Sequence, residues 1–244
     1  MGTDVENIKA CGHSGTGGTL LLAIISDIHA NLPALEVVME AVEASGAEMV
    51  LHAGDVVGYN PFPNEVISRL RSEGVRSIRG NHDRAVLTGD TTWFNPYAAR
   101  AVEWTREELS SGSMEYLRSL PPQMEVDAQD LTVGVVHGSP RDEDEYVYSH
   151  QASPLLLEEE GCDVLIMGHT HVPYVVRTPR GLILNAGSIG QPRDGDPRAA
   201  WVLLDPSEPW AEVRRVTYDV TAVYDEVLSR GLPRVLAERL LIGR

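Results

Sequence analysis

The apolar pattern begins at Leu20-Leu-Leu-Ala-Ile-Ile25, an unbroken run with the length of a buried strand. A helix is expected next. Leu32, Leu35, Val38, Met39 and Val42 recur at helical spacing, Asn31 is placed to cap it, Pro33 lies in its first turn and Gly46 ends it. Met49-Val-Leu51 reads as a second strand, residues 64–73 as a second helix and Arg76-Ser-Ile-Arg79 as a third strand. Residues 96–120 are mostly helical, with a break near Gly112 and a stop at Pro121-Pro122. Strands follow at 131–136 and 163–167, with a helix at 153–160 between them. Several β-like runs divided by Pro and Gly occupy 172–218, and 220–240 is helical with an interruption at Gly231-Leu-Pro233. The alternation of strand and helix in the first half implies an α/β fold with mostly parallel pairing, and the short turns later imply antiparallel additions. Residues 1–18 are polar and Gly-rich and read as a flexible tail, which leaves 19–244 as a single domain that includes the C-terminal helices.

The informative polar residues stand where apolar runs end. Ile24-Ile25 runs into Ser26-Asp27-Ile28-His29, and Val50-Leu51 into His52-Ala-Gly54-Asp55. Ile78 runs into Arg79-Gly80-Asn81-His82-Asp83, Val135-Val136 into His137-Gly138, and Ile166-Met167 into Gly168-His169-Thr170-His171. Ligands of open α/β sheets bind outside the carboxyl ends of the strands, so five such ends can converge on one site. Asp and His in numbers, without Cys, suit Mn, Fe, Zn or similar divalent ions and suit a thiolate site poorly. More than four ligands imply two ions, and two ions about 3.5–4 Å apart clamp an in-line displacement at phosphorus.

Composition narrows the field. The chain has 244 residues, 43% hydrophobic and 23% charged, an ordinary globular balance. Two cysteines, Cys11 and Cys162, exclude a disulfide framework and fit a reducing, cytoplasmic setting. No apolar run has transmembrane length, and the first residues lack the features of a signal peptide, so no membrane role is expected. The net charge of −16 disfavours a partner as extended as a nucleic-acid strand. An acidic protein that binds an anion needs local positive charge. Two divalent ions bring four positive charges, against two negative from Asp27 and Asp55 and one from a bridging hydroxide, so the site stays positive.

Asp27-x-His29, Gly54-Asp55, Gly80-Asn81-His82-Asp83, His137-Gly138 and Gly168-His169-Thr170-His171 together resemble the five ordered motifs of the calcineurin-like metallophosphoesterases, over about residues 20–218. Asp55-Val-Val-Gly-Tyr-Asn-Pro61 and Asn185-Ala-Gly-Ser-Ile-Gly-Gln-Pro-Arg193 are similar to small bacterial phosphodiesterases of the YfcE-like and diadenosine-tetraphosphatase-like branches. The resemblance implies two packed mixed β-sheets flanked by helices, a four-layer αββα sandwich. It implies Asp27, His29 and His171 on one metal, Asn81, His137 and His169 on the other, and Asp55 bridging both. It also implies a bridging hydroxide as nucleophile, with Mn the first choice of metal over Fe, Ni, Co or Zn. His82 would protonate the leaving oxygen or hold the transition-state charge. Asp83 would orient His82, or simply cap the helix that follows.

The expected function is therefore a two-metal phosphoester hydrolase, a phosphodiesterase acting on a small nucleotide or other small phosphodiester. The alternatives are a phosphomonoesterase, a nuclease, or an idle metal-binding scaffold like the retromer subunit of this fold. The intact Asn81-His82 pair and ligand set argue against the scaffold. Arg193, in the turn-rich Gly190–Gly195 loop, could hold substrate phosphate or pair with the acidic surface. Tyr59 and Asn60 could line the pocket mouth. His52 reads as a hydrogen-bonded core residue, His150 as the start of a helix, Cys162 as a buried apolar residue and Asp142–Glu145 as a solvated loop face. His13 with Cys11 is too sparse for zinc. The sequence leaves the oligomeric state open.

Overall fold

The computed structural model describes residues 20–208 and 210–244, so the tail expected at 1–18, with Cys11 and His13, lies outside the described residues. In chain order the elements are β1 (Leu22–Ile25), α1 (Leu32–Ser45), β2 (Met49–His52), α2 (Pro63–Ser72), β3 (Arg76–Ser77), α3 (Asn81–Thr88), α4 (Pro96–Glu108), α5 (Ser111–Ser119), β4 (Gln123–Ala128), β5 (Leu131–Val136), α6 (Pro154–Glu160), β6 (Val164–Met167), β7 (Tyr174–Thr178), β8 (Gly181–Asn185), β9 (Ala199–Asp205), β10 (Trp210–Val216), α7 (Val220–Ser229) and α8 (Arg234–Leu240). Two five-stranded sheets result, with orders β10-β9-β1-β2-β3 and β4-β5-β6-β8-β7. The pairs β1–β2, β2–β3, β5–β6 and β6–β8 are parallel, and β9 with β10, β4 and β7 join the sheets in antiparallel pairing.

Strand alternation sorts the apolar side chains into layers. Leu22 and Ile24 of β1 face Val133, Val135, Val164 and Ile166 of the other sheet, a dry layer between the two sheets. Ala23 and Ile25 face the opposite way, into a larger cluster with Leu35, Val38, Leu70, Val102, Leu117 and Leu236 from the helices. On the far side, Leu165 and Met167 of β6 pack against Leu156 and Leu157 of α6. Each central strand is thus covered on both faces, which is why β1 and β6 read as continuous apolar runs. The architecture is the expected four-layer sandwich, and among the described residues no helix is long and apolar enough to cross a membrane.

Several local expectations shift. The 96–120 helix breaks at Leu109–Ser110, where the Ser110 side chain caps α5 through Ser113 N–H; Gly112 sits inside the new helix. The third strand shrinks to two residues because Arg79 N–H leaves the ladder for the Pro121 carbonyl at 2.8 Å. β4 was not expected as a strand, although Met124, Val126 and Ala128 alternate inward. His150 lies in a turn, and α6 starts later at Pro154. His52 is fully buried, as expected, and the Gly54 backbone is the polar group it faces, although neither ring nitrogen has a close, well-aligned hydrogen-bond partner.

Ile24 is fully buried at the centre of the inter-sheet layer. Replacing it with Ala should cost about 2–5 kcal/mol. Urea denaturation should show this as a lower midpoint with an unchanged slope.

Candidate metal centre

All five strand ends singled out in the sequence reach one edge of the sandwich. The loops after β1 and β2 remain laced together beyond the strands: Asp27 N–H donates to Gly54 O at 3.0 Å, His29 N–H to Asp55 O at 3.0 Å and Ala30 N–H to Val56 O at 2.9 Å. This lacing requires unusual backbone. Asp27 (φ 51°), His29 (48°), Ala30 (56°), Asp55 (61°), Tyr59 (57°), His169 (66°) and His171 (59°) all lie in the left-handed region, and among described non-glycine residues only Gln129 joins them. Such conformations cost on the order of 1–3 kcal/mol each and persist where surrounding structure over-determines them. Gly80 is needed for close approach, since a Cβ there would run into the Asp55 backbone and carboxylate.

The side chains form two donor groups that share one residue. Asp27, His29, Asp55 and His171 make one, and Asp55, His137 and His169 the other, with the donor atoms of each group within 4.8 Å of one another. Asn81 joins the second group, its Oδ1 lying 3.0 Å from His137 Nε2. Asp55 Oδ2 stands between the groups, 3.5 Å from His29 Nε2 and 3.4 Å from His137 Nε2. Its other oxygen accepts the backbone N–H of His82 at 2.8 Å.

Tautomers follow from the outer partners. His29 Nδ1 donates to the Val57 carbonyl (3.1 Å), His171 Nδ1 to Gln191 (2.6 Å), His137 Nδ1 to Ala53 (2.7 Å), and His169 Nε2 to Asp144 (3.2 Å). A carbonyl only accepts, so each neutral ring turns its lone-pair nitrogen inward. His29 Nε2 and His171 Nε2 then face each other at 3.1 Å, lone pair to lone pair. Asp27 Oδ2 accepts from the Ser26 hydroxyl at 2.5 Å and from His169 N–H at 3.2 Å, whereas its buried Oδ1 has no hydrogen-bond donor and lies 3.1 Å from His171 Nε2. Acceptors gathered against acceptors in a buried site require a cation, so this donor set fits divalent metal.

The electrostatics agree. Burial holds the His29 ring well below its ordinary range and holds His169 at about 3, which favours the neutral, ligating form. Burial opposes charge on His137 as well, yet Asp55 beside it overrides this and pushes the ring up to about 10. The proton that Asp55 draws onto His137 marks where positive charge is needed, and a bound cation would displace it to leave the ring a neutral ligand. Burial likewise opposes ionisation of Asp55, but His137 and His82 keep it well below the usual carboxylate range.

His82 lies beside the donors rather than among them. Its ring packs edge-on against His29 (4.8 Å) and Phe94 (4.7 Å) and tilted against Tyr59 (4.4 Å), and burial lowers it to about 4. Asp83 makes no bond to it. His82 Nδ1 has no partner, and the Asp83 carboxylate instead accepts four backbone N–H groups, those of Gly80, Asp55, Val56 and Val57, at 3.0–3.2 Å. Asp83 therefore ties the start of α3 to the Asp55 loop. Burial and the Asp55 charge push its carboxyl up to about 7 against those four donors.

Among the described residues Arg193 makes no ion pair with an acidic side chain. Its guanidinium donates to Tyr59 Oη (3.2 Å) and Gln191 Oε1 (3.0 Å), and its backbone N–H to the His171 carbonyl (3.2 Å). Asn31 caps α1 as expected, and Asn60 is buried, donating to the His29 carbonyl at 3.0 Å. The Asp142–Glu145 cluster is not simply solvated. Glu143 and Asp144 grip Arg84 of α3 at 2.6 Å, which places the Asp144 carbonyl on His169. Tyr146, overlooked in the sequence, lays its ring 3.9 Å from that of His169. Ser26 was also overlooked. No periodicity marks either residue.

A sequence model described as the calcineurin-like phosphoesterase superfamily domain matches residues 20–208. The crystal structure of a metallophosphoesterase from Sphaerobacter thermophilus is 34% identical, covers 93% of this chain and all of its own, and superposes with a TM-score of 0.80. An uncharacterised protein of Methanocaldococcus jannaschii is 32% identical over 92% of this chain and 98% of its own length. Phosphodiesterase YfcE of Escherichia coli is 26% identical over 75% of this chain and 86% of its own. With a match spanning both sheets and every donor residue above, the chain belongs to the calcineurin-like phosphoesterase superfamily and is a metal-dependent hydrolase of phosphate esters.

Proposed function

We propose that this hydrolase holds two divalent cations bridged by Asp55 and cleaves a small phosphodiester, with a nucleotide as the preferred class. The observation that carries the reading is the sharing of Asp55 Oδ2 between two groups of buried ligand atoms. Asp27, His29 and His171 would hold one ion and Asn81, His137 and His169 the other. Manganese is the first choice for a hard and borderline O/N donor set without thiolate, with Fe, Ni, Co or Zn able to use the same ligands. When bound, the pair supplies charge neutralisation at the phosphoryl oxygens and ionised water near neutral pH.

The chain's own residues supply the rest. His82 lies at the wall of the centre and is placed to donate a hydrogen bond to the leaving oxygen or to a phosphoryl oxygen. Arg193, tethered through its backbone to His171 and held by Tyr59 and Gln191 through Nε and Nη2, is suited to a charged contact with phosphate through Nη1. A cleft of about 570 Å³ opens from Asn81, His82 and His169, and four of its lining residues are aromatic: Tyr59, Trp93, Phe94 and Tyr146. In a chain only 6% aromatic, that density suits the organic arm of an ester better than a bare phosphate, which favours a diester over a monoester. The net charge of −16 counts against an extended nucleic-acid backbone as partner. Cys162, a free buried thiol, is compatible with the reducing cytoplasm in which we place the enzyme.

Asp55→Ala should abolish activity and lower both metal equivalents, as read by elemental analysis; two metals retained per chain would overturn the ligand assignment. His82→Ala should keep its metal and lose roughly 10²–10⁴ in rate. Both variants belong in one assay of Mn-loaded protein on 4-nitrophenyl phosphate and bis(4-nitrophenyl) phosphate. Faster diester turnover that depends on metal and His82 supports the phosphodiesterase, and faster monoester turnover makes the enzyme a phosphatase.

A further inference from the structure

We infer that Phe94, on the loop between α3 and α4, is a positioning residue for His82, whose imidazole is aimed by packed aromatic rings and not by a hydrogen-bonded carboxylate. The inference rests on the role given to His82 above.

His82 needs orienting, and no polar group provides it. Its backbone N–H is tied to Asp55 Oδ1 at 2.8 Å, which fixes the main chain and leaves the side-chain torsions to be set by something else. Asp83 is committed to four backbone N–H groups, and His82 Nδ1 is buried with no partner among the described residues. Aromatic rings surround it instead. Phe94 meets the imidazole with 4.7 Å between centroids and 82° between planes, and His29 does so at 4.8 Å and 80°. Both are edge-to-face contacts of the kind aromatic pairs favour. Tyr59 closes a third side at 4.4 Å and 50°. Gly58 (φ 99°) covers Nδ1 so closely that a Cβ would lie 2.5 Å from it. A ring boxed in this way has little room to turn.

The walls of the box differ in origin. His29 is a donor of the centre, and Tyr59 receives the Arg193 guanidinium, so both already belong to the site. Phe94 comes from outside the five strand ends, on a loop that is braced along its length. Gly89 N–H ends α3 on the Ala85 carbonyl at 2.8 Å. The Asp90 carboxylate accepts the Thr92 N–H at 3.0 Å and the Thr92 hydroxyl at 2.6 Å. Phe94 N–H donates to the Thr91 carbonyl at 3.0 Å, and the Asn95 side chain caps α4. Neighbouring rings part in this turn: Trp93 is 94% exposed, whereas Phe94 packs inward against the core. The loop therefore presents one ring to the interior, and that ring lies on His82. Phe94 also lines the cleft, so a direct contact with substrate is the rival that the test must separate.

The test is a double-mutant cycle on the Mn-loaded full chain, using the faster of the two nitrophenyl esters. Phe94→Ala should lower kcat by about 10- to 100-fold, the scale expected when a catalytic group is misplaced by about 1 Å, with KM little changed. In the His82→Ala background the same substitution should cost nothing further, because the group it positions is gone. Phe94→Tyr, which keeps the ring, should recover most of the rate. An unchanged kcat, a loss confined to KM, or an equal loss in both backgrounds overturns the inference. If neither ester is cleaved, or His82→Ala turns over like wild type, the reading of His82 fails separately, and NMR relaxation of the Zn-loaded chain decides whether Phe94 holds the ring. The His82 Cε1–H group, assigned by its loss in His82→Ala, should have an order parameter of about 0.85 in wild type and below about 0.6 in Phe94→Ala; equal order in the two overturns it.

Discussion

Burying Asp27 and Asp55 together is the constraint on which the rest of the structure depends. Both side chains are essentially excluded from water, and their neighbours on the inner side are imidazole nitrogens. Two ionised carboxylates so placed are untenable without compensating positive charge, because desolvation of each costs several kcal/mol and they repel one another. The arrangement therefore makes sense as the anionic half of a salt whose other half is cationic metal. The left-handed backbone at five of the seven donors points the same way. Local conformational energy has been given up to aim side chains at a common point, and the lacing between the β1 and β2 loops keeps them aimed.

What keeps the donors rigid lies just behind them. Four backbone carbonyls fix four histidine tautomers, and three of those carbonyls, Ala53, Val57 and Gln191, belong to loops that themselves carry or adjoin donor residues. Asp83 gathers Gly80 and the Asp55–Val57 backbone on one carboxylate, so the second and third strand ends are held as one unit. The fourth carbonyl, Asp144, depends on exposed ion pairs with Arg84. Pairs of that kind contribute only about 0–1 kcal/mol each, so their consequence here is geometric: they place a loop rather than stabilise the fold.

Much of this was legible in the sequence because it rests on local order. A buried strand reads as an apolar run, and the polar residue that ends it falls at the sheet edge whatever the sheet order is. Asp27, Asp55, Asn81, His137, His169 and His171 were visible on that ground alone. What stayed hidden depends on contacts between distant segments. The role of Asp83 was ambiguous because capping a helix and bracing a loop 26–28 residues away draw on the same carboxylate. Ser110 competed with Gly112 as the helix break, and a side-chain cap outweighed a flexible residue that the helix tolerates. β4 did alternate, but charged residues between its small apolar ones obscured the period. Tyr146 sits among four acidic residues, and nothing in that stretch signals a ring folded onto His169.

The acidity of the chain now has a spatial reading. The positive charge that an anionic substrate needs is gathered at one sheet edge, while Arg84 in the cleft and Arg141, Arg180, Arg198 and Arg215 elsewhere are each spent on neighbouring carboxylates. Arg193 differs from these because Tyr59 and Gln191, both neutral, hold it in place without cancelling its charge. A guanidinium held by neutral acceptors keeps its electrostatic reach, and half-buried beside a dry core that reach is greater than at the surface. The same protein can thus repel polyanions across most of its surface and still attract a phosphate ester to one place, so the net charge is no obstacle to binding.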